Sequence, residues 1–132
     1  MEKNLKYHPS NKDELLLILR DNNISLRSID VSEVENISSI FSFSTREDFS
    51  GIENWDVSKV KKMEYVFSHA LSFNQDLSKW DVSNVEDMSG MFYGAMSFNQ
   101  DISSWNVSKL KNMDKMFKYS PLEDNPPKWY KK

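Results

Sequence analysis

The sequence predicts an α/β solenoid, a stack of short repeats in which each copy contributes one helix and one short strand. Two observations favour this class: a motif that returns every 25 residues, and apolar residues at helical spacing within each copy. A third disfavours the main competitor. With three glycines and four prolines in 132 residues, the chain lacks the turn residues typical of a many-stranded β-sandwich.

The repeat is clearest at its tryptophans. Trp55, Trp80 and Trp105 are each followed by an acidic or amide residue, then valine, then serine. One copy cannot bury its own apolar face, whereas stacked copies can. We therefore assign the repeating tryptophans and phenylalanines to a common core and treat them as structural residues, namely Trp55, Trp80, Trp105, Phe67, Phe92 and Phe117.

A helix is predicted in every copy. Val85, Met88, Phe92 and Ala95 follow the spacing i, i+3, i+7 and i+10, which places them on one helical face. A serine precedes each such segment and is expected to cap it, and Ser83 with Glu86 would form a capping box. The predicted capping serines are Ser32, Ser58, Ser83 and Ser108.

The predicted strand comes before each tryptophan. Ile52, Leu77 and Ile102 lie three residues ahead of Trp55, Trp80 and Trp105. We expect these apolar residues to occupy short strands that stack into a narrow parallel sheet.

The two ends are expected to close the stack. We predict a single domain over 1–132, with a capping-helix region at 1–28, repeats at 29–120 and a proline-rich cap at 121–132. The N-terminal helix should run over residues 10–22 with Ser10 or Asn11 as its N-cap. Its predicted apolar face comprises Leu15, Leu16, Ile18 and Leu19.

Composition excludes several kinds of site. The chain has no cysteine and two histidines, which rules out disulfides, a thiol nucleophile and a thiolate zinc site. The net charge of −3 provides no overall basic field for nucleic acid. The longest apolar run, 15–19, is too short for a membrane span. We expect a cytoplasmic location, or the cell surface or secretion if a leader was removed.

The motif Phe-Asn-Gln-Asp-Ile-Ser-x-Trp-x-Val-Ser, best seen from Phe98 to Ser108, resembles the repeat of BspA-like leucine-rich-repeat surface proteins of bacteria. The resemblance covers residues 29–129. It implies a leucine-rich-repeat-type solenoid of about four rungs. It also implies a surface adhesin that binds host or matrix proteins, and it supplies no catalytic residue.

The repeated carboxylates allow two interpretations. Asp76 and Asp101 could act as metal ligands or acid/base groups, and calcium could lie between turns near Asp56 and Asp81. Short polar side chains also bond backbone groups at tight bends. Because the motif recurs and an active site is usually needed once, we favour the structural interpretation.

The predicted helix surfaces differ from copy to copy. Residues 105–132 carry a net charge of +4 and residues 1–66 carry −3. The three lysines at 111, 115 and 118 form a basic stripe at helical spacing, which is either a solvated face or a docking surface. The charges at 35, 61, 86 and 111 alternate in sign and predict weak surface ion pairs. The candidate binding residues are Lys111, Lys115, Lys118, Tyr93, Tyr119, Tyr65, Lys61 and Glu86.

These observations favour a non-enzymatic protein-interaction module without a cofactor, for example an intracellular inhibitor of a bacterial enzyme. The alternative is an adhesin-type repeat protein, and a third hypothesis is a metal-dependent hydrolase or calcium-binding module. We expect a monomer with a protein partner, for which an acidic surface would suit the lysines. Nucleic acid is the less favoured partner.

Overall fold

The computed structural model describes residues 5–131. These residues form one α-helix, α1 (Lys12–Leu19), and two single-turn 3₁₀ helices, Leu26–Ser28 and Ile52–Asn54, but no β-strand. Turns and extended segments make up the rest. The repeat copies lie side by side and are joined by parallel bridges of one residue each, which link residues 36, 62, 87 and 112 in succession.

The prediction of an α/β solenoid is wrong, because the predicted repeat helices are chains of turns. Tyr65 and His69 both adopt a left-handed backbone conformation, with φ of 56°. A right-handed helix cannot continue through such residues. The same two positions are left-handed in the other copies, at Ser39, Phe43, Gly90, Gly94, Lys115 and Tyr119.

The backbone N–H groups of these turns alternate between two kinds of acceptor. In the second copy, the N–H groups of Tyr65 and Phe67 donate to the carbonyls of Ser89 and Met91 in the next copy, at 3.0 and 2.9 Å. The N–H of Ser68, which lies between Phe67 and His69, donates to the carbonyl of Tyr65 within its own turn, at 3.2 Å. One set of donors therefore holds the turn and another set joins the copies.

This arrangement explains why the sequence pattern resembled a helix. Successive turns return the chain to the same side every three or four residues, as a helix does. Met63, Phe67 and Ala70 are consequently buried, although no helix carries them. The predicted serine caps are wrong for the same reason: Ser83, for example, donates its hydroxyl to Asp81.

The predicted strands are also turns. Ile52 begins a 3₁₀ helix, and the N–H groups of Trp80 and Trp105 donate to the carbonyls of Leu77 and Ile102 at 3.0 and 3.2 Å. A strand in every copy is a requirement of the leucine-rich-repeat type. The expected leucine-rich-repeat architecture is therefore wrong as well.

The tryptophan side chains also connect the copies. They bond the preceding copy, whereas the backbone N–H groups described above bond the next one. Each indole Nε1 donates to a carbonyl of the preceding copy, as Trp80 does to Ile52 and Trp105 does to Leu77, both at 2.9 Å. Trp55 bonds Leu26 in the same way at 2.8 Å. Each of these carbonyls also accepts a backbone N–H within its own turn, so the indole supplies its second hydrogen bond and joins the two copies.

Stacked phenylalanines fill the core between these two sets of hydrogen bonds. Phe67 stacks on Phe92 with ring centroids 5.7 Å apart, and Phe92 stacks on Phe117 at 5.8 Å. Within one copy, Phe67 also lies 3.8 Å from Phe73, with the two rings nearly parallel. The 25-residue repeat places identical rings at the same depth, which lets them pack face to face.

Helix α1 covers the first copy. The Asn11 side chain accepts a hydrogen bond from the N–H of Glu14 and caps the helix. Leu15 and Leu19 enter the core, whereas Leu16, predicted on the apolar face, is exposed. The Lys12 ammonium donates to the Ser38 hydroxyl at 3.0 Å and fixes the helix against the first copy.

The last copy is covered less completely. Trp129 stacks on Trp105 and donates its indole N–H to Ile102 at 3.0 Å, so it takes the tryptophan position of a further copy. Tyr130 packs edge-on against Phe117. Val107, Leu110 and Met113 are nevertheless only partly buried, although the matching residues of the preceding copies are fully buried.

We predict that Trp80→Phe costs more stability than Trp129→Phe. Both changes remove an indole donor, but each acceptor carbonyl keeps its bond from a tryptophan backbone N–H, so each variant loses one hydrogen bond, worth about 0.5–1.5 kcal/mol. Trp80 is buried whereas Trp129 is half-buried, so the lost ring volume leaves a cavity at Trp80 and adds to its cost. Urea unfolding followed by circular dichroism measures both variants. Equal losses would show that burial of the Trp80 ring adds no stability.

Candidate interaction surface

An exposed row of aromatic side chains crosses all four copies. It consists of Phe43, His69, Tyr93 and Tyr119, which we call the aromatic row. Phe43 stacks on His69 at 4.4 Å, His69 lies 5.5 Å from Tyr93, and Tyr93 meets Tyr119 edge-on at 5.4 Å. Phe43 and Tyr119, at the two ends, are 69% and 59% exposed. The row is therefore a continuous, solvent-facing strip of rings.

The backbone explains why these rings face solvent. Phe43, His69 and Tyr119 occupy the second left-handed position of their copies. At these positions the side chains point away from the core, which Phe41, Phe67 and Phe117 already fill. In the third copy glycine takes that position, and the neighbouring Tyr93 provides the ring instead.

The third copy has glycine at both left-handed positions because rings of the second copy lie against them. A Cβ added to Gly94 would lie 2.7 Å from Cδ2 of His69, and one added to Gly90 would lie 2.1 Å from Cε1 of Tyr65. Both glycines also have positive φ. The rings of Tyr65 and His69 therefore lie flat against the backbone of the next copy, where only glycine leaves room for them.

We predict that Gly90→Ala destabilises the protein by about 1–2 kcal/mol, the cost of a left-handed alanine. The new Cβ should also push the Tyr65 ring outward, which tyrosine fluorescence or nuclear magnetic resonance would detect. Lys115→Gly is the matched control, because it places glycine at the same position of the last copy. Lys115→Gly relieves the strain of a left-handed side chain without a ring nearby. If Gly90→Ala lowered the free energy of unfolding by no more than Lys115→Gly raises it, the close approach of Tyr65 would carry no energetic weight.

The alternating charges form ion pairs at two of the three predicted steps. Lys61 lies 3.7 Å from Glu35, and Lys111 lies 3.5 Å from Glu86. All three steps share a backbone bond, such as that from the Glu86 N–H to the Lys61 carbonyl at 2.8 Å, but no ion pair joins the Lys61 and Glu86 side chains of the described structure. These side chains are largely exposed, so each pair contributes about 0–1 kcal/mol.

The predicted basic stripe does not lie on a helix. Lys111 pairs with Glu86, Lys115 adopts a left-handed conformation, and the Lys118 ammonium lies 5.3 Å from the Tyr119 ring centroid. The three lysines are therefore spread along the turns of the last copy. Lys118 joins them to the aromatic row.

The other predicted binding residues lie near the same surface. Tyr65 is 42% exposed and packs over Gly90. Tyr93 and Glu86 are half-buried, and Lys61 is exposed. Ser68 is buried, and its hydroxyl contacts Nδ1 of His69 at 3.0 Å.

The repeated aspartates bond the backbone of their own turns. The Asp76 and Asp101 carboxylates each accept the N–H of the serine two residues later, at 2.9 Å. At Asp81 the hydroxyl of Ser83 also donates, at 2.6 Å. At Asp81, the hydrogen bond from the Ser83 hydroxyl has the larger effect and that from the Ser83 N–H the smaller. Together they hold the pKa of the Asp81 carboxyl below its usual value. Asn106 accepts the Ser108 N–H in the same way.

We predict that the difference in the free energy of unfolding between wild type and Asp81→Asn becomes smaller as the pH falls from 7 to 3. A lowered folded pKa stabilises the protein above the ordinary carboxyl pKa, and that contribution is lost as pH falls through the folded value. Asparagine accepts the same N–H at every pH. Urea unfolding at pH 7 and pH 3 measures the change.

Ser83→Ala is the control for this prediction, because it removes the hydroxyl donor and should raise the Asp81 pKa toward its ordinary value. A stability difference that stays constant between the two pH values would contradict the assigned role of the Asp81 hydrogen bonds.

Among residues 5–131, no group of three or more histidine, cysteine, aspartate or glutamate side chains lies close enough together to hold a metal ion. No helix in that range is long and apolar enough to cross a membrane.

Sequence reasoning missed two rings of this surface, because Phe43 and His69 were not among the predicted binding residues. The exposed Leu71 and Met96 were not among them either. A usable signal was present, because Leu71 and Met96 are 25 residues apart and Phe43 and His69 are 26 apart. The helical model placed these positions at helix ends and so gave them no common face.

A family model described as "Mycoplasma protein of unknown function, DUF285" matches residues 14–129. The chain belongs to the DUF285 family. The DUF285 match begins within α1 and ends at Trp129, so it includes every repeat copy. This membership agrees with the resemblance to BspA-like repeats, although the fold lacks the leucine-rich-repeat strands. No curated protein and no solved structure matches the chain.

Proposed function

We propose that this DUF285 chain is a non-enzymatic module that binds another protein through its aromatic row. The supporting observation is a strip of four contacting rings, exposed at Phe43 and Tyr119 and half-buried at His69 and Tyr93, beside a core that is already filled. Aromatic side chains are enriched at protein interfaces. Scattered exposed apolar residues need no explanation, but a continuous strip does.

The scaffold suits this role because it holds the rings in fixed positions. The turns that carry Phe43, His69 and Tyr93 are bonded to the next copy through their backbone N–H groups, and the Tyr119 N–H donates to the Glu123 carboxylate. Little conformational entropy is then lost when a partner covers the rings. A module of this kind acts by covering its partner's surface, and inhibition of an intracellular bacterial enzyme is one consequence that we propose.

The alternative function is that of a surface adhesin that binds host or matrix proteins. The BspA-like resemblance of the repeat favours it. Both functions use protein binding, so they differ in the location of the partner rather than in the kind of surface.

We predict that Phe43→Asn with Tyr119→Asn abolishes partner binding. Asparagine tolerates the left-handed conformation of both positions, so the fold should persist while the apolar ends of the row are lost. The wild type and the variant serve as baits in lysates of the source bacterium and in mixtures of matrix proteins. Binding is measured by the stoichiometry of the retained protein.

Leu17→Gln is the matched control, because Leu17 is as exposed as Tyr119 but lies on α1. It should retain the partner. Equal retention by the double variant would exclude the aromatic row as the binding surface. Retention of nothing by the wild type from either source would contradict protein binding itself. A partner found only among matrix proteins would favour the adhesin alternative.

A further inference from the structure

The last copy presents an unfilled edge. In the three preceding copies, the N–H groups at this edge donate to the carbonyls of the next copy. In the last copy, the N–H groups of Met113, Lys115 and Phe117 have no backbone or side-chain acceptor among residues 5–131. Trp129 provides the tryptophan of a further copy, but none of the described residues provides the row of carbonyls that would accept these three donors.

A carboxylate of the chain already occupies the fourth donor of this edge. The Tyr119 N–H donates to Oε1 of Glu123 at 3.1 Å, whereas the matching N–H groups of His69 and Gly94 donate to backbone carbonyls. The carbonyl of Lys111 is the matching acceptor, because the carbonyls of Glu35, Lys61 and Glu86 each accept an N–H from the following copy. The edge therefore offers both donors and an acceptor in the register of the repeat.

The surroundings of the edge are open, partly apolar and basic. A concavity of about 560 Å³ is lined by Val107, Leu110 and Met113 together with Lys111 and Lys131. A second one of about 270 Å³ lies beside Lys115 and Lys118. Asp114 borders both and Glu123 borders the second, but the segment 105–132 as a whole carries a net charge of +4.

We propose that this edge binds an acidic segment of a partner protein, which adds its backbone to the stack as a further row. The segment would accept hydrogen bonds from Met113, Lys115 and Phe117 and donate one to the Lys111 carbonyl, while its acidic side chains face the lysines. Addition of a backbone segment to an open edge is an established mode of peptide recognition. This inference rests on the proposed protein-binding function and names the chemistry of the partner.

A second copy of this chain suits the edge less well. The corresponding face of the first copy is covered by α1, whose Leu15 and Leu19 are buried there. Two last copies placed edge to edge would bring two basic segments together, and like charges oppose that contact. Charge thus selects an acidic partner over self-association.

The test uses a synthetic, end-capped peptide with the sequence of residues 83–96. This sequence carries Glu86 and Asp87, and in the chain its carbonyls at 87, 89 and 91 accept hydrogen bonds from the matching donors of the second copy. The comparison peptide carries Glu86→Lys and Asp87→Lys. Fluorescence anisotropy of the labelled peptides measures binding to the full chain, and hydrogen exchange measures protection of the amides at 113, 115 and 117.

We expect the acidic peptide to bind and to protect these three amides. The variant with Lys111→Glu, Lys115→Glu and Lys118→Glu should bind it at least about tenfold more weakly, because like charges then face each other. The matched control carries Lys6→Glu, Lys62→Glu and Lys79→Glu, which make the same change in net charge at exposed positions elsewhere, and should bind like wild type.

Equal binding of the two peptides, or binding without protection of the three amides, would overturn the inference. So would concentration-dependent self-association of the unliganded chain that protects the same amides, because the occupant would then be a second copy. If the peptide does not bind while the aromatic-row variant still loses its partner, the edge proposal fails and the proposed function stands. If the acidic peptide binds and the aromatic-row variant still retains the partner, the edge proposal stands and the aromatic row is excluded as the binding surface.

Discussion

The division of backbone N–H groups between two acceptors is the constraint on which the rest of this structure depends. One set closes turns within a copy, as the Ser68 N–H does, and the other set joins neighbouring copies, as the Phe67 N–H does. A buried backbone group without a partner costs free energy, so neither set can be given up locally. The stack therefore needs every copy to keep the same turns, which requires left-handed residues at two fixed positions.

These left-handed positions also shape the outer surface. A side chain there does not join the core, so the core leaves its identity open. The residues are serine, tyrosine, glycine and lysine at the first position, and phenylalanine, histidine, glycine and tyrosine at the second. In the third copy the neighbouring Tyr65 and His69 rings restrict both positions to glycine. The constancy of the core and the diversity of this surface have one origin. The aromatic row and the lysines of the last copy are the variable part, and the proposed binding function uses this part.

Much of the core could be predicted from the sequence, and its secondary structure could not. The 25-residue period placed Trp80, Phe92 and Met88 in one apolar layer, and all three are buried. The helix prediction failed because turns that return every three or four residues bury the same positions as a helix. Serines were expected to cap helices, yet the preceding aspartates accept their N–H groups and close Asx turns. The candidate surface was found in part: Tyr93, Tyr119 and Lys118 were predicted, whereas Phe43 and His69 needed the true position of their turns.

The sequence by itself determined the repeat, its apolar residues and the charge difference between the two ends, because these are properties of residue identity and spacing. Only the tertiary structure decided which N–H groups bond within a copy and which bond between copies, since both choices bury the same side chains. The same choice left the N–H groups of Met113, Lys115 and Phe117 at an edge without acceptors among residues 5–131. Hydrogen-bond partners 25 residues apart are set by how the copies stack, and a local pattern carries no information about them.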